Sequence, residues 1–144
     1  MRERFLVKSF GDNEEGAREG LEKANDLLRK YDSLVIVVPA IGKIKDSMLT
    51  DVLNPQIAKK LIKDREVIFE GNKKVSLCAQ SAVKNYRNSD VFLDLWGNKF
   101  SIQDIEALHY CKAIVLVTWG PDDSAEWEKQ HLPTVIYDDG KKEL

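Results

Sequence analysis

Three glycines in the sequence directly follow an aromatic residue, and these pairs are the first candidates for binding chemistry. The pairs are Phe10-Gly11, Trp96-Gly97 and Trp119-Gly120. Glycine lets the backbone turn sharply and approach a ligand, and a large ring offers a stacking surface for a base, a sugar face or a cation. An aromatic residue can equally close the end of a hydrophobic core. We predict ligand binding at these pairs, with packing at the end of the core as the alternative.

Two carboxylates are candidates for acid–base or nucleophilic chemistry. Asp94 lies inside an otherwise apolar strand, on the same predicted strand face as Phe92 and Trp96. Burial would raise the pKa of this carboxyl, which is typical of groups that exchange protons in active sites. Glu126 lies in the first turn of a short predicted helix. The alternatives are that Asp94 caps a neighbouring helix near the solvated strand end, and that Glu126 only interacts favourably with the helix dipole.

The loops after the predicted strands differ in charge, which limits the ligands that they accept. Carboxylates crowd the loops 11–16 and 120–126, and such loops disfavour phosphate but suit hydroxyls, amines or a metal ion. The loop 41–47 carries lysines and is the one predicted to accept an anion. None of these loops matches a dinucleotide fingerprint or a P-loop. The candidate ligand-binding residues in the loops are Gly11, Asp12, Gly42, Lys43, Gly97, Gly120, Asp123 and Ser124.

Other chemistries that leave a signature in a sequence are disfavoured. The chain contains no Gly-x-Ser-x-Gly, no His-Glu-x-x-His and no Asp-x-Asp motif, so acyl transfer and zinc hydrolysis are not expected. Cys78 and Cys111 lie 33 residues apart, outside any metal-binding spacing. They are predicted to be reduced, buried thiols of a cytoplasmic protein. No motif identifies a cofactor.

The composition fits a single folded domain over residues 1–144. The chain is 43% hydrophobic and 32% charged, which excludes a disordered or collagen-like chain. Its longest apolar runs, 34–41 and 113–119, are much shorter than the roughly 18 residues that a membrane span needs. The N-terminus lacks the apolar region of a secretion signal. We therefore expect no association with a membrane.

Charge is unevenly distributed along the chain. The formal net charge is −1 for residues 1–42, +5 for residues 43–88 and −6 for residues 89–144. A net acidic protein with a mildly basic middle is a poor candidate for binding nucleic acid, because neutralising phosphates needs a concentrated basic surface. Solvated helix faces explain such charge runs. Complementary surfaces in a homodimer are the alternative.

Hydrophobic periodicity predicts the strands that position these residues. Apolar runs at 5–10, 34–40, 91–96, 113–119 and 134–137 predict strands. The stretch 66–78 predicts either a hairpin around Gly71-Asn72 or the end of a helix followed by a strand. Because strands alternate with helical stretches, we expect a doubly wound, three-layer α/β domain. Its sheet should be mostly parallel, with about five or six strands, in a Rossmann-like or flavodoxin-like arrangement.

Capping residues predict where the helices begin. The helix over 14–31 carries Asp12 and Glu15 in the pattern of a capping box. Its Gly16 and Gly20 share one face, which predicts close packing on the sheet or on a partner helix. The other helices are predicted to begin at Asn54-Pro55, Ser101 and Ser124.

The segment 113–138 carries a partial resemblance to a known family. Its strand is followed by Asp123-Ser124-Ala125-Glu126 and then by His131-Leu132-Pro133-Thr134-Val135-Ile136. This order resembles the closing unit of nucleoside deoxyribosyltransferase-like and related base-releasing domains. The resemblance covers under a fifth of the chain, and Gly120-Pro121-Asp122 replaces the small-residue loop that the family has there. It implies that Glu126 serves the ribosyl group.

Together these observations predict a binding site at the carboxyl ends of the strands, near the point where the strand order reverses. We expect a small polar ligand, nucleoside- or nucleotide-like, with N-glycosidic bond chemistry as one outcome. One alternative is a non-catalytic assembly or protein-interaction module whose contact is formed by the glycine-bearing helix and the oppositely charged parts of the chain. Another is a metal-dependent enzyme with Asp12, Asp94 and Asp122 as its acid cluster. The main prediction requires Trp96 and Trp119 to lie side by side, with their strand ends opening onto a shared hollow.

Overall fold

The computed structural model describes residues 2–11, 13–40, 46–120 and 122–140, without the side chains of residues 46–48 and 70. These residues form the strands β1 (Glu3–Lys8), β2 (Ser33–Val38), β3 (Glu66–Ile68), β4 (Lys74–Ala79), β5 (Val91–Gly97), β6 (Ala113–Thr118) and β7 (Thr134–Asp138). They also form the helices α1 (Glu14–Leu27), α2 (Asp46–Leu53), α3 (Pro55–Asp64), α4 (Lys99–Glu106) and α5 (Ala125–His131). Two 3-10 segments cover Glu70–Asn72 and Gln80–Tyr86. None of these helices is long and apolar enough to cross a membrane.

The described strands form one sheet of seven strands, in the order β3-β4-β2-β5-β6-β1-β7. β3 is antiparallel to β4, and every other neighbouring pair is parallel. The predicted α/β class and mostly parallel sheet are therefore confirmed, but the sheet has seven strands instead of five or six. The difference arises at 66–78, which forms a hairpin whose second strand, β4, also pairs with β2 along its whole length. Both hairpin strands thereby join the main sheet.

The strand order is consistent with the Rossmann-like class but differs from its two common forms. Those forms have the orders 3-2-1-4-5-6 and 2-1-3-4-5, whereas here β1 lies between β6 and β7. After β1 the chain continues through α1 into β2, which lies three positions from β1 in the strand order. The carboxyl ends of β5, β6 and β1 are consequently neighbours at one edge of the sheet.

Two buried clusters alternate along the strands because successive side chains of a strand point to opposite faces. In β6, Val115 and Val117 belong to one cluster, and Ile114 and Leu116 belong to the other. The first cluster, which we call the α1-side cluster, takes its helical members from α1, α2 and α3. The second, the α4-side cluster, takes them from the segment Gln80–Tyr86, α4 and α5. Each central strand is therefore buried from both sides, as its near-continuous apolar sequence predicts.

The glycines of α1 face the sheet. A Cβ atom added to Gly20 would lie 2.3 Å from Cγ2 of Val117, and one added to Gly16 would lie 2.5 Å from the Ser9 side chain. These distances leave no room for a side chain, so the two glycines let α1 approach β1 and β6 closely. The sequence predicts that Gly16 and Gly20 pack either on the sheet or on a partner helix, and the structure shows that they pack on the sheet. The glycine-bearing face is not available as a contact for a partner helix.

The predicted starts of α3 and α5 are confirmed, and Ser124 is the N-cap residue of α5. The start of α4 and the cap of α1 differ from the prediction. Asn54 caps α3 and accepts a hydrogen bond from the amide of Ile57, as predicted. The side-chain cap of α1 is Asn13, which bonds the amide of Gly16; Asp12 lies outside the described residues. α4 begins at Lys99, two residues before the predicted start, because Asn98 supplies the cap. Ser101 is the second member of that capping box.

Candidate functional site

Trp96 and Trp119 lie side by side at the carboxyl ends of the neighbouring strands β5 and β6. Their ring centroids are 6.3 Å apart, and the rings are perpendicular, which is a favourable geometry for an aromatic pair. Trp96 is buried, whereas 44% of Trp119 is exposed. The pairing that the sequence requires is therefore present, but neither ring lines the three cavities described for the structure, so the predicted hollow beside the pair is not among them. One ring is fixed in the core, and the other offers its surface to solvent.

The backbone at Trp96 is strained. Its φ of 57° lies in the left-handed region, which bulky residues rarely adopt. The pairing register between β5 and β6 shifts between Leu95 and Gly97, so Trp96 is the extra residue of a β-bulge. The bulge breaks the alternation of side chains, and the Trp96 ring joins the α1-side cluster with Leu95. The prediction that Trp96 shares a face with Phe92 is therefore wrong, since Phe92 belongs to the α4-side cluster.

Asp94 is fully buried beneath this edge. Its Oδ2 atom accepts a hydrogen bond of 2.7 Å from the hydroxyl of Ser101, while its Oδ1 atom has no hydrogen-bond partner among the described residues. Burial raises the pKa of Asp94 to about 7, against the lowering effect of the Ser101 hydrogen bond, and the charge of Asp123 adds to the rise. Asp94 can thus carry or release a proton near neutral pH. The carboxyl also accepts a hydrogen bond from Ser101 in the first turn of α4. This role resembles the alternative interpretation, in which Asp94 caps a neighbouring helix.

Gly97 is required by the position of Asp94. A Cβ atom added at Gly97 would lie 2.2 Å from Oδ2 of Asp94. The carboxyl group therefore occupies the space that a side chain at position 97 would need. In the aromatic-glycine pair Trp96-Gly97, the first residue has a strained backbone and the second lies against a buried acid.

The loop after β6 is organised around the carboxylate of Asp123. Its Oδ2 atom accepts hydrogen bonds from the amides of Trp119, at 3.2 Å, and Gly120, at 2.6 Å. Ser124 is buried, and its hydroxyl donates a 3.0 Å hydrogen bond to Glu128. Two predicted ligand-binding residues, Asp123 and Ser124, are thus engaged in holding this loop and the start of α5.

The loop after β1 meets the loop after β6 directly. The amide of Gly11, whose φ is 70°, donates a 2.8 Å hydrogen bond to the carbonyl of Trp119. Phe10 is buried, and its amide donates to a carboxylate oxygen of Asp139 at 2.9 Å. The structure therefore brings Gly11 to the tryptophan pair and places Phe10 in the core. The candidates Asp12, Gly42 and Lys43 lie outside the described residues.

Glu126 is exposed and lies at a separate concave site between α4 and α5. This cavity has a volume of about 100 Å³. Neither tryptophan of the pair lines it, and neither does Asp94. Asp123 contributes to both places, because it lines the cavity and also binds the amides at the tryptophan edge. Four charged residues line the cavity, Lys99, Glu106, Asp123 and Glu126, together with His131.

A polar cluster forms around Glu106, and the sequence does not predict it. Arg2 donates to one carboxylate oxygen of Glu106, and Arg4 donates to both oxygens. The indole N–H of Trp127 donates to the same carboxylate at 2.7 Å. Burial by itself would raise the pKa of Glu106, but the hydrogen bonds from Arg4, Trp127 and Arg2 lower it to about 2. Glu106 lies on the polar edge of a short helix, and nothing in its local sequence signals partners about a hundred positions away.

The described residues show no metal centre. They contain no group of three or more His, Cys, Asp or Glu side chains that could hold a metal ion. Of the proposed acid cluster, Asp94 is fully buried and Asp122 is exposed. Cys78 and Cys111 are free and buried, and burial raises the pKa of each thiol to about 12. Both cysteines are therefore poor nucleophiles.

Comparison of the chain with protein-family models, curated proteins and solved structures gives no match. The features that point to function are therefore those of the site itself. One of them is the indole N–H of Trp96, which is buried and has no hydrogen-bond partner in the described part of the chain. A buried donor without a partner costs free energy.

Proposed function

We propose that the edge formed by the carboxyl ends of β5 and β6 binds a small polar ligand with a flat ring, nucleoside- or nucleotide-like. The carrying observation is the left-handed backbone of Trp96, which holds its ring perpendicular to the exposed ring of Trp119. Strain of this kind persists where the surrounding structure enforces it, and it is concentrated at functional sites. In this proposal Trp119 stacks on the ligand, and the indole N–H of Trp96 donates a hydrogen bond to it.

The position of the edge in the fold supports the proposal. We propose a doubly wound, three-layer arrangement, with α1–α3 on one face of the sheet and α4 and α5 on the other. The loop after β1 then leads to one face, and the loop after the adjacent β6 leads to the other. Ligands of open α/β sheets bind where loops diverge in this way. The hydrogen bond from the amide of Gly11 to the carbonyl of Trp119 joins the two loops next to the strand ends, and in this arrangement the loops separate beyond it.

The proposal is for binding and not for turnover. Cleavage of an N-glycosidic bond would need a carboxylate at the ligand. Asp94 is covered by Gly97, and Glu126 faces the cavity between α4 and α5. We therefore assign Asp94 the role of a positioning residue, which supports the β5 end and the first turn of α4 through Ser101.

A ligand panel tests this function. Adenosine, guanosine, cytidine, uridine and free ribose are titrated into the protein, with affinity measured by calorimetry and stability by thermal shift. At least one nucleoside should bind and raise the melting temperature, whereas ribose should not, because the ring supplies the stacking area. Trp119→Leu should weaken binding by roughly tenfold or more, since stacking of one base on an aromatic ring contributes about 1–3 kcal/mol. Trp119→Phe should retain part of the affinity.

Tyr110 provides the matched control. Its ring is also exposed, but it precedes β6 and so lies at the opposite edge of the sheet. Tyr110→Leu should leave nucleoside binding unchanged. The proposal is wrong if no nucleoside binds, or if Trp119→Leu and Tyr110→Leu have the same effect on affinity.

The two cysteines bear on the compartment. Both are unpaired and buried, and free thiols persist where the surroundings are reducing. We propose a cytoplasmic location on this ground. Alkylation of the native protein with a thiol reagent should be slow until the protein is unfolded.

A further inference from the structure

We infer that this site accepts unphosphorylated nucleosides and excludes their phosphates, because Asp123 occupies the position at which a phosphate would bind. This inference rests on the proposed function and narrows its ligand class. It makes Asp123 a specificity-determining residue. Paired titrations of nucleosides and their monophosphates separate its failure from a failure of nucleoside binding itself.

The first observation is the internal carboxylate. The amides of Trp119 and Gly120 both point at one oxygen of Asp123, at 3.2 and 2.6 Å. Paired backbone amides in a loop that leads into a helix are the groups that bind phosphate oxygens in nucleotide sites. Here the protein supplies its own anion to these donors. A ligand phosphate would have to displace Asp123 or bind without these two amides.

The second observation is the charge around the loop. Asp122 and Glu126 are exposed on either side of Asp123. Lys8, at the end of β1, lies 3.4 Å from Glu128 in an ion pair. Lys99 lines the cavity between α4 and α5, together with Asp123 and Glu126. Apart from the ion pair of Lys8 with Glu128, these residues comprise three carboxylates, Asp122, Asp123 and Glu126, and one lysine, Lys99. The field at the loop therefore disfavours an anion.

The third observation concerns the opposite end of the ligand. The indole N–H of Trp96 is buried and has no partner within the described ranges. It is a donor that requires an acceptor, and nucleobases carry carbonyl oxygens and ring nitrogens that serve as acceptors. A base can therefore satisfy Trp96 while its sugar hydroxyls face the carboxylates of the loop. Hydroxyl groups donate to carboxylates, whereas a phosphate is repelled by them.

Paired titrations test the inference. The wild-type protein is titrated with adenosine and AMP, and then with the other three nucleosides and their 5′-monophosphates, at low and high salt. We expect the nucleoside that binds to do so roughly tenfold more tightly than its monophosphate at low salt. The ratio should narrow at high salt, because salt screens the repulsion between exposed charges.

Two variants locate the effect. Asp123→Asn keeps an acceptor oxygen for the two amides but removes the charge, and it should bring the affinities for nucleoside and monophosphate to within about threefold. Asp122→Asn makes the same change in net charge without a bond to the amides, and it should leave most of the wild-type ratio in place. The melting temperature of each unliganded variant establishes that it is folded.

The outcomes are distinguishable. If the wild-type protein binds the monophosphate as tightly as the nucleoside, the inference is wrong and the proposed function stands. An unchanged ratio in folded Asp123→Asn also overturns the inference. If neither nucleosides nor monophosphates bind, the proposed function fails, and the inference fails with it.

Discussion

Asp94 is a fully buried carboxyl within the otherwise apolar strand β5. Its carboxyl is enclosed by Gly97 and α4, and only the Ser101 hydroxyl donates to it among the described residues. Burial therefore outweighs the hydrogen bond and raises the pKa of Asp94 to about 7, from an ordinary value of 3.8. Between these values the folded protein holds a proton that the unfolded chain has released.

This difference predicts how stability depends on pH. The free energy of unfolding gains its contribution from Asp94 below about pH 4 and loses it as the pH rises to about 7, by up to about 1.4 kcal/mol per pH unit. Asp94→Asn has nearly the same shape and cannot ionise. The unfolding free energy of the variant, relative to wild type, should therefore increase by roughly 2–4 kcal/mol between pH 4 and pH 8 in urea titrations.

A second substitution controls for the loss of one negative charge. Asp122→Asn makes the same change in net charge at an exposed position, and its effect should stay within about 0.5 kcal/mol at every pH. If the difference between Asp94→Asn and wild type is constant across this range, the Asp94 carboxyl is not desolvated as described.

At the residue scale, the sequence predicts burial better than it predicts direction. The apolar neighbours of Asp94 are compatible with the burial that the structure shows, but they also leave open a position near the solvated strand end. Strict alternation along β5 places Trp96 on the wrong face of the sheet. Alternation fails at a β-bulge, and no residue of β5 predicts the bulge. The carboxylates after β6 indicate an acidic loop, but only the fold shows that Asp123 binds the amides of Trp119 and Gly120.

At the scale of elements, the cluster around Glu106 joins three parts of the chain. Arg2 and Arg4 reach it from the start of β1, Glu106 ends α4, and Trp127 belongs to α5. Arg2 also donates to the carbonyls of Leu108 and Cys111, so it satisfies backbone acceptors in the turn after α4. The cluster holds the two helices that border the charged cavity.

Removing the charge of Glu106 should therefore destabilise the protein. Glu106→Gln leaves two partly buried guanidinium groups without their carboxylate, and we expect a loss of about 1–3 kcal/mol at pH 7. Because the folded pKa, about 2, is below the ordinary value of 4.5, this stabilisation is present above about pH 4.5. It is lost as the pH falls toward 2, where variant and wild type should converge. Acid unfolding followed by circular dichroism measures both effects.

Glu128 is the comparison residue. It also forms an ion pair, with Lys8 at 3.4 Å, but both side chains are about one-third exposed. Glu128→Gln should cost less than about 1 kcal/mol. Equal losses from the two substitutions would show that burial and the additional hydrogen bonds do not distinguish Glu106.

The existence of most helices and strands is predictable from the sequence, whereas the residue at which a helix begins is determined by a single capping residue. Asn54 followed by proline identifies the start of α3 correctly, because both residues favour the same position. At α4, Ser101 looks like a cap in isolation, but Asn98 is an equally good cap and lies one turn earlier. The cluster around Glu106 was not predictable, since its partners are distant in sequence.

At the scale of the whole molecule, the adjacency of β5 and β6 is the feature on which the proposed function depends. The sequence predicts it, because consecutive strands joined by one helix are commonly neighbours. The complete order could not be predicted. The position of β1 between β6 and β7, and the pairing of β4 with β2, are decided by which apolar faces fit together over the whole sheet.

The tryptophan indole N–H resonances give the most direct test of the central claim. A ¹⁵N-labelled protein should show three such signals, from Trp96, Trp119 and Trp127, assigned by single Trp→Phe substitutions. Trp127 is an internal control, because its N–H is already bonded to Glu106. On titration with the nucleosides, the Trp96 and Trp119 signals should shift together and saturably, while the Trp127 signal stays in place. Saturating nucleoside that leaves the first two signals unmoved, or moves only that of Trp127, would contradict the account.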